Sequence, residues 1–220
     1  MSTGRLVVVV LAGGEGRRIG GVKATRMLGG RTLLERELER AAGWSGEVAV
    51  AVRAEGQASA PAGVDLLTDD PGIPGPLAGI ASALRFAAAR GAKTVLTLPC
   101  DAPFLPDDLV DRLAEALTPV AGVALARSRG QFHPTCALWR AGEGALAALA
   151  AYAATGRGAL MGLADAVGWV AVDWPVEPLD PFFNVNTAED LARAEGLLKG
   201  PASPRARPLA DPRTGSETPS

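Results

Sequence analysis

Between Leu11 and Gly30 the chain reads LAGGEGRRIGGVKATRMLGG, where Gly13, Gly14, Gly16, Gly20 and Gly21 are interrupted by Arg17, Arg18, Lys23 and Arg26. Backbone N–H groups in a glycine-rich turn cradle phosphate oxygens, because no Cβ blocks close approach or positive φ. A plain turn needs one or two glycines and no cations. Two common phosphate loops do not fit. A Walker loop ends in Gly-Lys-Ser/Thr, but Ala24 follows Lys23; a GxGxxG fingerprint counted from Gly14 meets Ile19 instead of its last glycine. A triphosphate held there would call for a divalent cation, and Mg2+ takes carboxylate oxygens. The carboxylate candidate is Asp101 in TLPCDAPFL, just past the 93–99 strand, and an acidic pair, Asp69 and Asp70, stands in LLTDDPGIPGPLAG. His133 in FHPTCAL is the single histidine, which excludes a multi-histidine metal site, and no GxSxG elbow supports a Ser-His-Asp triad. Asn184 and Asn186 alternate in FFNVNTAEDL, so in extended backbone they point to opposite faces.

These residues need a scaffold, and the hydrophobic pattern supplies one. The continuous β-branched run at 5–12 reads as a strand covered on both faces, 93–99 as another buried strand, and 47–53 and 64–67 as strands. Residues 32–42 have helical spacing, 77–91 form a helix closed by Gly91, and Pro106 opens another helix. After Pro119 two strands flank a turn at 128–131. Helical pieces follow at 143–155 and 158–166, then a strand at 168–174 and a helix at 187–199 with Thr187 as N-cap and Asp190 three residues on. The expected fold is α/β: a three-layer α/β/α, doubly wound, mostly parallel sheet. Ligands bind such sheets beyond the carboxyl ends of strands, here just after residues 12, 53, 67 and 99. Residues 1–199 are expected to form one domain, and the Pro-, Ser- and Arg-rich 200–220 a disordered tail.

Composition narrows the class. The chain is 48% hydrophobic and 21% charged, with formal net charge −2. That allows a core and argues against a general nucleic-acid binder, without excluding a local anion site. No stretch reaches membrane-span length. Cys100 and Cys136 do not make a disulfide framework, and the protein reads as cytoplasmic, with no nucleic-acid or membrane partner.

LAGGEGRRIGGVK resembles the signature of nucleotidyltransferases that activate small molecules with NTPs, most closely the molybdenum cofactor guanylyltransferases (MobA-type). The matching residues are Leu11, Ala12, Gly13 and Gly14, then Arg18, Gly20-Gly21 and Lys23. Gly14 favours the guanine over the cytosine members, whose motif more often reads LAAG. The resemblance runs through five motifs in order over residues 5–199. It implies a Rossmann-like nucleotidyltransferase fold and transfer of GMP from GTP to molybdopterin or molybdenum cofactor, with release of pyrophosphate. It implies Arg18, Lys23 and Asp101 as catalytic residues and Asp101 as the Mg2+ ligand. The nucleotide would be bound by Leu11 to Gly14, Lys23, Asp69, Gly75, Pro76, Leu77 and Asp101, in a half spanning 5–118. The acceptor would be met by His133, Asn184 and Asn186, in a half spanning 119–199. Molybdoenzymes or their chaperones follow as partners. The chain departs from the pattern in two places: Arg53 stands where the family often has an Asn touching the base, and around Lys23 the preceding residue is Val22 rather than an acid, with Thr25 and Arg26 soon after it where an aliphatic pair is usual. Alternatives on the same residues are transfer from CTP or to another small phosphorylated acceptor, and a non-catalytic nucleotide-binding module.

Overall fold

The computed structural model of the protein describes residues 5–14 and 23–199. Arg17, Arg18 and the expected tail lie outside the described residues. In chain order the elements are β1 (Leu6–Leu11), a 3-10 turn (Lys23–Thr25), β2 (Met27–Leu28), β3 (Arg31–Thr32), α1 (Leu33–Trp44), β4 (Val48–Val52), β5 (Asp65–Thr68), α2 (Leu77–Ala89), β6 (Thr94–Pro99), α3 (Leu109–Ala116), β7 (Val123–Ser128), β8 (Gln131–Arg140), α4 (Glu143–Ala153), α5 (Leu160–Val167), β9 (Trp169–Asp173) and α6 (Ala188–Lys199).

Among the described residues the main sheet has seven strands in the order β5-β4-β1-β6-β8-β7-β9. Only β8 runs against its neighbours, pairing antiparallel with β6 and β7. The expected mostly parallel, doubly wound sheet is thus what the chain forms. Val7 to Val10 are all 0% exposed because β1 is covered on both faces. Burying each such side chain contributes about 1.5–3 kcal/mol before chain entropy is counted. Val8 and Val10 pack with Leu34, Leu38 and Ala41 of α1 and with Leu109 and Leu113 of α3. Val7 and Val9 pack on the other side with Leu77, Ile80 and Leu84 of α2 and Leu163 of α5. The crossovers through α1 (β1 to β4) and α2 (β5 to β6) therefore cover opposite faces of the sheet, and the crevice between them opens at the carboxyl ends of β1, β4 and β6.

The ends of the helices explain where expectation and structure differ. α1 starts from a capping box: Thr32 Oγ1 accepts from the Glu35 N–H, and Glu35 Oε2 accepts from the Thr32 N–H at 2.7 Å. α3 starts at Leu109 rather than Pro106. Residues 106–109 form a turn, and the Asp108 carboxylate accepts from Trp174 Nε1 at 3.0 Å instead of capping the helix. Gly29 and Gly30 end the glycine-rich stretch that suggests a phosphate cradle. They form instead the two-residue turn of the β2–β3 hairpin, both with positive φ (58° and 80°), the conformation a tight hairpin of this kind favours.

Candidate functional site

β1 ends at Leu11, β4 at Val52 and β6 at Pro99, so Gly13, Arg53 and Asp101 emerge side by side at the same edge of the sheet. They line a cleft of about 300 Å3 together with Leu11, Gly14, Lys23, Asp69, Gly75, Pro76, Gly79, Thr135 and Asn184.

At one end, Lys23 Nζ donates to Asp101 Oδ2 at 2.6 Å, and both side chains are mostly buried. The same ammonium donates to Asn186 Oδ1. One lysine therefore ties the segment after β1 to the loop after β6 and to the residues before α6. Each partner is itself held. The Cys100 N–H donates to the Leu11 carbonyl, and the Val185 N–H donates to the Asp101 carbonyl at 2.8 Å. Asp190 Oδ2 accepts from the N–H groups of Asn186 and Thr187, while Thr187 Oγ1 accepts from the Asp190 N–H, the reciprocal cap expected at the start of α6. Leu28, Leu33, Phe104, Val185 and Ala194 form a small apolar cluster behind this junction.

At the other end stands Asp69, whose N–H donates to the Val52 carbonyl at 2.8 Å. Burial pushes its carboxyl above the usual value, opposed by a hydrogen bond from Ser82 Oγ and by the charge of Arg53. A Cβ on Gly13 would stand 3.4 Å from Asp69 Oδ2 and 3.4 Å from the Arg53 nitrogen, so the backbone here runs close against both residues. The first turn of α2 faces the same space. Pro76 occupies its N-cap with no side-chain cap, and Gly75 turns the chain with φ 62°. A helix start with its N–H groups directed at a cleft suits an anion.

The two neighbouring aspartates go separate ways. Asp70 pairs with Arg85 at 3.3 Å and accepts from the Gly72 N–H, on the side away from the cleft. The side chains of Ala12 and Leu77 are buried in the core, so these two residues can offer a ligand only backbone atoms. Arg18 lies outside the described residues. Among the residues expected to meet an acceptor, Asn184 lines the cleft and Asn186 holds Lys23. His133 sits two residues from Thr135 on β8 and stacks on Phe182 at 4.6 Å, with Nε2 2.8 Å from Ser128 Oγ. Burial lowers its pKa, against the opposing charge of Asp180. Thr135 was not singled out from the sequence; the signal was the two-residue strand period, which puts it on the same face as His133.

A family model described as MobA-like NTP transferase domain matches residues 8–170. The chain is 42% identical over 206 residues to the molybdenum cofactor guanylyltransferase of Sinorhizobium fredii, covering 89% of this chain and 93% of that one. It is 42% identical over 197 residues to the protein of the same name from Cereibacter sphaeroides, covering 89% and 98%. Among solved structures, molybdopterin-guanine dinucleotide biosynthesis protein A from Archaeoglobus fulgidus superposes with TM-score 0.70 at 28% identity, over 86% of this chain and 97% of that one. The 2-C-methyl-D-erythritol 4-phosphate cytidylyltransferase of Thermus thermophilus shares the fold, with TM-score 0.63 at 24% identity over 87% and 98%.

Proposed function

The chain belongs to the MobA-like NTP transferase family, and from that membership we propose that it transfers GMP from GTP to molybdopterin or its molybdenum form. A terminal phosphate oxygen of the acceptor attacks the α-phosphorus of GTP. A new P–O–P linkage forms, the bond from the α-phosphorus to the α,β-bridging oxygen breaks, and the electron pair leaves on pyrophosphate. No covalent enzyme intermediate is needed, so positioning and charge neutralisation supply the catalysis.

The observation that carries this reading is the Lys23–Asp101 contact at 2.6 Å, at one end of a cleft whose other end holds Asp69 and the start of α2. Lys23, with Arg18, neutralises the β- and γ-oxygens and the charge that develops on the leaving pyrophosphate. Asp69 and the Gly75-Pro76-Leu77 turn hold the nucleoside side. Asn184, Asn186 and His133 face the acceptor, in the 119–199 half. The donor that fits a divalent ion is the Asp101 carboxylate, just past the end of β6 at the cleft. That suits Mg2+, which is commonly held by one or two carboxylates and the substrate's own phosphates. Asp101 would hold it, and when bound there it supplies positive charge to the phosphates. No helix of the described residues is long and apolar enough to cross a membrane. Cys100 and Cys136 are free and buried, which fits the reducing cytoplasm we assign to the reaction.

The test is pyrophosphate release from each of the four NTPs, with and without molybdopterin and Mg2+. Release only with GTP, acceptor and metal together is the expected result. Faster release from CTP would move the chain to cytidylyl transfer, and GTP binding without release would make it a non-catalytic module.

A further inference from the structure

The loop that carries Asp101 is gripped from α1, by residues outside every motif of the cleft. Arg40 Nη1 donates to the Leu105 carbonyl at 2.6 Å and Arg40 Nη2 to the Pro103 carbonyl at 3.2 Å. One helical turn on, Trp44 Nε1 donates to the Asp107 carbonyl at 3.3 Å. Carbonyls 103, 105 and 107 alternate along the chain, and residues 40 and 44 lie on one face of a helix. Two side chains one turn apart thus engage three alternate carbonyls of a single segment. Pro103, Phe104 and Leu105 are buried, so the held backbone is out of water, where an unmade hydrogen bond is costly.

Glu37 lies behind Arg40, with Oε2 3.7 Å from Arg40 Nε, and is fully buried with no hydrogen-bond partner on either oxygen. The charged and titratable groups bearing on it are Arg40, Asp101 and Arg36, and its own charge bears on Cys100 and Cys136. Burial raises its carboxyl above the usual value, and at 3.7 Å with no hydrogen bond to Arg40 it leaves the Nη groups of the guanidinium to the loop. Both Nη groups of Arg40 remain committed to the loop, apart from a 3.4 Å contact to the exposed Asp107 carboxylate.

We propose that Arg40 is a positioning residue for the transfer: by holding the 103 and 105 carbonyls against α1 it fixes where the Asp101 carboxylate stands relative to Lys23. This rests on the guanylyl-transfer reading for its kinetic consequence but not for its structural one. A rigid helix sets the loop from below, the Val185 N–H fixes it from the side, and the carboxylate is left one position. Lysine can replace only one of the two bonds, because a single ammonium lacks the planar fork that spans alternate carbonyls.

The experiment compares wild type, Arg40→Lys and Arg40→Met. Hydrogen exchange reports the loop without any substrate. Amides between 100 and 107 are expected to exchange at least tenfold faster in Arg40→Met, with Arg40→Lys intermediate and β4 and α2 unchanged. In the transfer assay at saturating GTP, kcat is expected to fall at least tenfold in Arg40→Met and less in Arg40→Lys. KM for GTP should stay within twofold, and the Mn2+ concentration for half-maximal rate should rise about fivefold. Unchanged exchange in both variants overturns the proposal, and so does faster exchange with kcat and Mn2+ dependence unmoved. A wild type that releases no pyrophosphate from GTP overturns the guanylyl reading instead, and the exchange data then decide the clamp by themselves.

Discussion

Glu37→Gln should change how the stability of this protein depends on pH, and the structure sets both sign and size. The Glu37 carboxyl is fully buried on α1, and burial raises it from its ordinary 4.5 to about 8, against the lowering influence of Arg40. In the unfolded chain the same group ionises near 4.5. Between those values the unfolded state holds fewer protons than the native state, so native stability falls as pH rises. The stabilising proton is fully present below 4.5 and lost as pH passes 8. One pH unit corresponds to about 1.4 kcal/mol, so three and a half units amount to about 5 kcal/mol over the whole window. Glutamine keeps the shape of the side chain and cannot ionise, and Arg40 keeps its bonds to Pro103 and Leu105. Urea unfolding of wild type and variant at pH 6, 7 and 8 removes the contribution of every other titrating group by difference. Relative to wild type, Glu37→Gln is expected to gain about 2–3 kcal/mol between pH 6 and pH 8. Parallel curves, differing by less than about 0.5 kcal/mol across that range, would refute the reasoning. They would mean that Glu37 is ionised throughout and that water or Arg40 compensates its charge.

Other consequences follow from the cleft. Lys23→Met and Asp101→Asn should each lower transfer by about two orders of magnitude or more, with the circular dichroism of the wild type, since a preorganised charge of this kind is worth about 3–4 kcal/mol. Asp69→Asn should raise KM for GTP about tenfold, whereas Asp70→Asn, which loses only the exposed pair with Arg85, should leave it within about twofold. Because Lys23 sits on Asp101 Oδ2, Lys23→Met should bind Mn2+ alone about tenfold more tightly by titration calorimetry even as turnover collapses. Equal Mn2+ affinity would show that the ammonium does not contend for that carboxylate.

Periodicity made most of the fold legible. The Val-rich runs at β1 and β4 and the apolar run at β6 read as buried strands, and Gly91, with φ 63°, ends α2 as its position suggested. The strand-end rule also located the cleft: Gly13, Arg53, Asp69 and Asp101 all fall just past strands. What was hidden depends on contacts distant in sequence. Nothing local in PDDLVDRL says that Asp108 is taken by Trp174, which leaves residues 106–108 as a turn. The Gly29-Gly30 pair carried a hairpin signal that was absorbed into the phosphate-loop reading, because glycine serves both purposes. Glu37 stands four residues from both Leu33 and Ala41, on the buried stripe of α1. What no local pattern shows is that the Asp101 loop, sixty-odd residues later in the chain, is bonded to Arg40 on the same helix.

That last relation bears on how the cleft keeps its geometry. A nucleotide site assembled at strand ends takes its precision from the loops, and loops are the least constrained part of an α/β fold. Here each loop is fixed by a group that does not line the cleft. The Asp101 loop is held through three carbonyls by α1, Asn186 through its backbone by the Asp190 cap of α6, and Asp69 through its backbone by β4. Lys23 then joins Asp101 to Asn186. A phosphate that draws Lys23 toward itself must loosen both contacts at once. On the proposed reading the nucleotide side and the acceptor side would therefore meet at one ammonium, and a change in Lys23 would be felt on each.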